Sequence, residues 1–135
     1  MALRYLLDTD ICIFIRRKQP PKILARFEKL ETGDVGISVV TFGELAYGAA
    51  KSAERERAFS GLDRLVRLLQ VLPLPEEAGR AYGEIRATLA AKGAVIGPND
   101  LWIAAHAIAA GLTLVTNNER EFKRVKDLKV ENWTK

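Results

Sequence analysis

Short apolar runs alternate with longer stretches of helical periodicity along this chain, and that alternation limits the fold more than any other feature. Residues 3–7 (LRYLL), 35–39 (VGISV), 70–74 (QVLPL) and 112–116 (LTLVT) each have the length and character of a buried strand. Between them the spacing turns helical. A short helix is expected from Asp10 to about Arg17. Pro20-Pro21 opens another to about Glu31, with Ile23, Leu24, Phe27 and Leu30 on one face and Gly33 closing it. Thr41 is the expected cap of a helix striped by Phe42, Leu45, Ala46 and Ala49. Further helices are expected over 53–69, from Pro75 to about Lys92, and from Asn99 to Ala110, where Gly111 ends the pattern. A short charged helix over 119–124 and a last strand near 128–133 complete the chain. Strands separated by helices predict an α/β fold with a mainly parallel sheet covered on both faces. At 135 residues, without linker or repeat, the expectation is one domain over 1–135.

Sheets of this kind bind ligands beyond the carboxyl ends of their strands, so the residues just after each apolar run matter most. Asp8 closes the first run in YLLDTD. A turn carboxylate bonded to backbone amides would explain it equally well. Asp10, two residues on, is expected to cap the next helix. Glu44 stands early in a helix in TFGELAYGAA, beside Gly43 and Gly48. The helix dipole favours such a Glu, but each glycine costs about 1 kcal/mol against alanine and would leave room for a ligand or another element. Asp100 opens NDLWIAAHAIAAG and projects from the N-terminal end of the stripe formed by Ile103, Ala104, Ala107 and Ile108. After the clearest strand come Thr116, Asn117, Asn118, Glu119 and Glu121, ordinary turn and helix-start residues when taken singly. Together, these carboxylates can converge at one sheet edge.

A cluster of like charges is costly unless a cation binds it. The only cysteine is Cys12 and the only histidine His106, which excludes an intrachain disulfide and the Cys-rich zinc patterns and makes His106 a structural residue in a helix of alanines. Oxygen-only ligands select a hard ion, Mg²⁺ or Mn²⁺, which can hold phosphate oxygens and lower the pKa of a bound water. The net charge of +4 permits a nucleic-acid partner without requiring one, since Arg16-Arg17-Lys18 and Lys123-Arg124-Val125-Lys126 also suit solvated surface. No run approaches the ~20 apolar residues of a membrane span and the first residues lack a leader pattern, so a cytoplasmic protein without membrane contact is expected.

At these residues the chain resembles the PIN-domain ribonucleases, and among them the VapC toxins of toxin–antitoxin pairs. YLLDTDICIF resembles their opening strand with its first acid, ISVVTFGELAYGA the second-acid segment, and IGPNDLWIAAHAIAAGLTLVTNNEREFKRV with LKVENW the third-acid helix, core strand and terminal segment. The resemblance runs nearly end to end. It implies a three-layer α/β/α domain that cleaves structured RNA, with transfer RNA and its anticodon stem-loop as the leading target. Asp8, Glu44 and Asp100 match the family's three most dependable acids. Many relatives carry an Asp where Asn118 stands, so Glu121 is taken as the fourth carboxylate, and Asp10 replaces a common Asn or Ser. The roles implied are Asp8 and Asp100 as ligands of Mg²⁺ or Mn²⁺, with Glu44 and Glu121 completing the catalytic set. Thr9, Asn117, Asn118 and Arg86 are candidate substrate contacts. A metal-activated water attacks phosphorus in line and leaves a 5′-phosphate and a 3′-hydroxyl. Partners implied are a VapB-type antitoxin, a second copy in a homodimer, and DNA only through the antitoxin.

Two other readings compete. DTD and LTLVTNN also resemble the first two motifs of haloacid-dehalogenase-like phosphatases, but the 19 residues after Thr116 (135 minus 116) leave no room for the rest of that fold. A non-catalytic RNA- or partner-binding module would carry the same acids as structural residues, and its effects would survive neutralisation of Asp8 or Asp100.

Overall fold

Five strands, β1 (Tyr5–Leu7), β2 (Val35–Ser38), β3 (Gln70–Leu72), β4 (Thr113–Val115) and β5 (Val130–Glu131), form one sheet in the computed structural model, which describes residues 3–135. Their order is β3-β2-β1-β4-β5 and every pairing is parallel. The chain winds outward from β1 through β2 to β3, then restarts beside β1 with β4. The strand order therefore reverses between β1 and β4, the switch point where open α/β sheets leave a crevice.

The helices are α1 (Thr9–Arg17), α2 (Pro21–Glu28), α3 (Val39–Ala50), α4 (Arg55–Val66), α5 (Glu77–Ala91), α6 (Pro98–Ala110) and α7 (Glu119–Phe122). Every residue of β1 is buried because both sheet faces are covered. Tyr5 and Leu7 join a core with Ile11, Ile23, Phe27, Leu45 and Leu62 from α1 to α4. Leu6 points the other way, into a second core with Leu114 of β4 and Leu89, Leu101, Ile103 and Phe122 from α5 to α7. Three layers result. Gly36 sits where β2 meets β3 closely: a Cβ there would stand 3.0 Å from the Leu72 side chain and 3.1 Å from the Gln70 carbonyl. Among the described residues no helix is long and apolar enough to cross a membrane.

Several expected boundaries move. The cap of α1 is Asp8, not Asp10, and that of α3 is Ser38, whose hydroxyl accepts from the Val40 amide. Thr41 lies inside α3, buried, because the helix begins within the run read as strand. The second helix stops at Glu28 and a 3-10 turn over Thr32–Asp34 leads into β2. β3 ends before Pro73, which has no amide to give the ladder. The helix expected from Pro75 begins at Glu77.

Candidate active site

Asp8 follows β1 directly, with an extended backbone (φ −82°, ψ 176°), and its Oδ1 accepts from the Ile11 amide at 3.3 Å. Its own amide donates to the Val115 carbonyl of β4 at 3.0 Å. Across the switch point Thr116, directly after β4, donates its hydroxyl proton to Asp8 Oδ2 at 2.5 Å. Thr116 Oγ1 accepts in turn from the Asn118 amide at 2.9 Å. One carboxylate, only 5% exposed, thus joins both central strand ends to the turn beyond β4.

Glu44, on the second turn of α3, accepts the Thr9 hydroxyl proton at 2.7 Å, which ties α3 to the start of α1. Asp100 occupies the first turn of α6, where helix geometry favours negative charge. Its Oδ2 lies 3.9 Å from the place a Cβ on Gly97 would take. Glu121, in α7, accepts from the Gly97 amide at 3.3 Å through Oε1 and from the Asn118 side-chain amide through Oε2. The loop before α6 and the turn after β4 therefore meet at Glu121.

The electrostatics put the four acids in one shared field. Burial pushes the Asp8 carboxyl up to about 7; the Thr116 hydrogen bond opposes this and the Asp10 charge adds to it. Asp100 is pushed up to about 7 by burial, then by Glu121, Asp8 and Glu44. Asp10 is raised above the usual carboxylate range by burial and by the charges of Glu44 and Glu121. The sequence pattern assigns Asp10 to a cap; it is instead a fifth member of the cluster. The signal for this lies in the spacing: with Asp8 as cap, Asp10 falls in the first helical turn beside the same crevice. Thr116 is likewise an orienting residue that the pattern does not single out, although it closes the strand that neighbours Asp8.

No lysine or arginine among the described residues pairs with these acids, since the ion pairs are Arg26–Glu131, Arg57–Glu54 and Lys135–Glu119. Nor, among the described residues, are any three His, Cys, Asp or Glu side chains placed together so as to hold a metal ion between them. Mg²⁺ does not need three, because it keeps several waters and takes one or two carboxylates. Two carboxyls with raised pKa, uncompensated and surrounded by oxygen donors, fit such an ion.

The remaining candidates lie around this core. Asn117 is exposed and accepts from the Thr134 hydroxyl at 3.3 Å. Arg86 is exposed on α5, donates to the Tyr82 hydroxyl at 2.8 Å, and is not among the groups gathered at the acids. Gly43 and Gly48 face open space, so no element packs against them; Gly48 lines a groove of about 710 Å³ between α1, α3 and α4. Thr9 and Glu44 stand at this groove, which Arg16, Arg57 and Arg64 also line.

Residues 5–128 match the PIN domain family. The chain is 44% identical over 132 residues to the tRNA(fMet)-specific endonuclease VapC of Shigella flexneri, covering 98% of this chain and 99% of that one. It is 42% identical over 132 residues to ribonuclease VapC2 of Rickettsia felis, with 97% and 98% covered. The fold is similar to that in the crystal structure of DNA-bound VapBC from Salmonella typhimurium, at TM-score 0.91 and 43% identity, covering 97% of this chain and 98% of that one. With a sheet wound about β1 and β4, carboxylates gathered beyond their ends and this likeness over nearly its whole length, the chain belongs to the PIN-domain family, among the VapC ribonucleases.

Proposed function

We propose that this ribonuclease is a metal-dependent toxin that hydrolyses structured RNA, with transfer RNA and its anticodon stem-loop as the substrate. The observation that carries this reading is the set of carboxylates at the β1–β4 switch point, where Asp8 and Asp100 are held near pKa 7 and pair with no lysine or arginine among the described residues. The printed name of the Shigella relative, a tRNA(fMet)-specific endonuclease, supports the choice of transfer RNA.

Asp8 and Asp100 would hold Mg²⁺ or Mn²⁺. Such an ion supplies charge neutralisation at the scissile phosphate and makes an attacking water more acidic. Asp8 is held for that task by Thr116 and the Ile11 amide, Asp100 by the start of α6. Glu44 or Glu121 takes up the water's proton and passes it on to the departing 3′-oxygen; Thr9 orients the first, while Asn118 and the Gly97 amide orient the second. Water attacks phosphorus in line, leaving a 5′-phosphate and a 3′-hydroxyl. Asn117, Asn118 and Arg86 contact the RNA. The VapBC complexes among the structural neighbours support a VapB-type antitoxin as partner; a toxin homodimer and DNA bound only through the antitoxin belong to the same proposal.

The test is cleavage of total transfer RNA by antitoxin-free wild type and Asp100→Asn, each with Mg²⁺ or with EDTA. Discrete fragments from wild type alone, lost in EDTA, are expected. Intact RNA from a folded, metal-loaded wild type removes transfer RNA as substrate. Equal cleavage by both proteins, surviving EDTA, removes the proposed site.

A further inference from the structure

Behind the acids lies a buried polar contact that the proposed chemistry does not use. Ser38 ends β2, caps α3 and is fully buried, while His106, in α6, is 2% exposed. Ser38 Oγ stands 2.9 Å from His106 Nδ1 across 68 positions of sequence. The same oxygen accepts from the Val40 amide at 3.1 Å, so its own proton is free to point at Nδ1, and the neutral ring then carries its proton on Nε2. Burial lowers the His106 pKa, in keeping with a neutral ring.

Apolar side chains could fill this space without desolvating a hydroxyl and an imidazole, and such a buried pair contributes little net stability. What it adds is register. α3 packs on α6, and beside His106 the latter buries Ala104, Ala105 and Ala107. Alanines make shallow ridges, so packing at this crossing resists a slide of the two helices less sharply than large side chains would. One directional contact sharpens that resistance.

Its position matters for the acids. Glu44 stands six residues after Ser38 (44 minus 38) and Asp100 six residues before His106 (106 minus 100). Each helix carries its acid rigidly, about 9 Å along the axis from the shared contact. We propose that the Ser38–His106 hydrogen bond is a positioning contact that sets the spacing of the Glu44 and Asp100 carboxylates, and through it the site's affinity for a divalent cation. A slide by one residue is about 1.5 Å, whereas metal–ligand distances tolerate only ~0.2 Å. The inference rests on the metal-site reading above.

The experiment titrates Mn²⁺ into antitoxin-free protein by calorimetry, without RNA, and adds steady-state cleavage kinetics on the same samples. His106→Asn presents an amide at the place of Nδ1, while His106→Gln reaches towards Nε2 instead; Ser38→Ala removes the contact from the other side. We expect His106→Gln and Ser38→Ala each to weaken Mn²⁺ binding about tenfold and lower kcat with KM for RNA unchanged. His106→Asn should stay within about twofold, and the double variant Ser38→Ala/His106→Gln should be no weaker than either single one. Circular dichroism checks folding, and if one single variant unfolds the other decides. Wild-type Mn²⁺ affinity in His106→Gln, or losses that multiply to about a hundredfold in the double variant, overturns the proposal. Asp100→Asn in the same titration separates the two claims: if it binds like wild type the metal site itself fails, and if it alone loses binding only the positioning contact fails.

Discussion

Asp8 and Glu121 bring carboxylates to the same site by opposite means. Asp8 stands at the end of a central strand, buried, capping a nine-residue helix and held by a hydroxyl from the neighbouring strand end. Glu121 sits on a four-residue helix, half-buried, held by one loop amide and one Asn side chain. A single helical turn has no stability of its own; Phe122, 1% exposed in the second core, and the Lys135–Glu119 ion pair keep α7 in place. The difference separates a rigid half of the site, built on the switch point and the start of α6, from a half on α7 that is anchored by fewer local contacts. The acids of the rigid half carry raised pKa values chiefly because they are buried, with neighbouring carboxylates adding to it, and an ion would relieve both.

The largest effects fall on the rigid half. Asp8→Asn and Asp100→Asn should each cut cleavage on the order of 10³-fold, the worth of several kcal/mol of charge stabilisation. Their stabilities should then diverge. The Asp100→Asn change relieves repulsion and should raise the Tm of metal-free protein at pH 8 by about 2–5 °C. The Asp8→Asn change should gain less, since the single amide oxygen it leaves cannot replace both the Ile11 and Thr116 bonds. Wild type carries the matching pH signature. Both carboxyls titrate near 7 when folded, above their ordinary 3.8, so the folded chain holds more protons than the unfolded one between those values. Stability without metal should therefore fall as pH rises from about 4 through about 7, and Mg²⁺ should restore it. Thermal melts with EDTA or Mg²⁺ check this. A metal-free Tm that climbs over that range would break the account of the rigid half.

How much of this was legible in the sequence depended on whether the deciding contact was local. The α/β class followed from runs such as LTLVT set between helical stretches, while Asp8, Glu44 and Asp100 were candidates by their places at a strand end and near helix starts, and Glu121 became one only through the family resemblance. Cap identity was not. Asp8 and Asp10, or Ser38 and Thr41, are chemically equal candidates within three residues, and only the backbone angle decides which side chain meets the free amides. The Asp10 contribution to the cluster was lost with that choice. Contacts between distant segments were hidden altogether: the Gly97 amide on Glu121 spans 24 positions and the Ser38 contact on His106 spans 68. Hydrophobic pattern carries no record of which loops meet.

Intermediate effects can rank the two halves directly. Thr116→Val keeps the shape, removes no charge and leaves Asp8 without the bond that lowers its pKa. Stability should drop by about 1–3 kcal/mol, activity by about 10- to 100-fold, with its pH profile moved upward as Asp8 becomes harder to ionise. Glu121→Gln removes a full charge, yet its amide can still bond Gly97 and a flipped Asn118. About tenfold loss of kcat is expected, while the metal-free Tm should rise slightly, because Glu121 is the largest charge acting on Asp100. A greater loss at Glu121 than at Thr116, measured in parallel, would reverse the ranking and put the rigid demand on α7 instead.

The smallest effect tests how far the site extends beyond both halves. Arg86 is exposed on α5, bonded to Tyr82, whose ring stacks on Trp102 at 4.0 Å between centroids and 16° between planes. Trp102 lies two residues after Asp100 in α6, so Arg86 reaches the acids only through a packed pair of aromatic rings. A cation placed there cannot tune the carboxylates, but it can meet one phosphate of an RNA that runs past the sheet edge. Arg86→Ala should therefore raise KM about two- to threefold, leave kcat alone, and flatten the dependence of log(kcat/KM) on log salt by less than one unit, the share of a single phosphate contact. A fall in kcat would mean that α5 holds α6 in register as well. An unchanged KM and salt slope would take α5 out of the RNA surface, leaving the groove edge marked by Arg16, Arg57 and Arg64 as the path along which the backbone is followed.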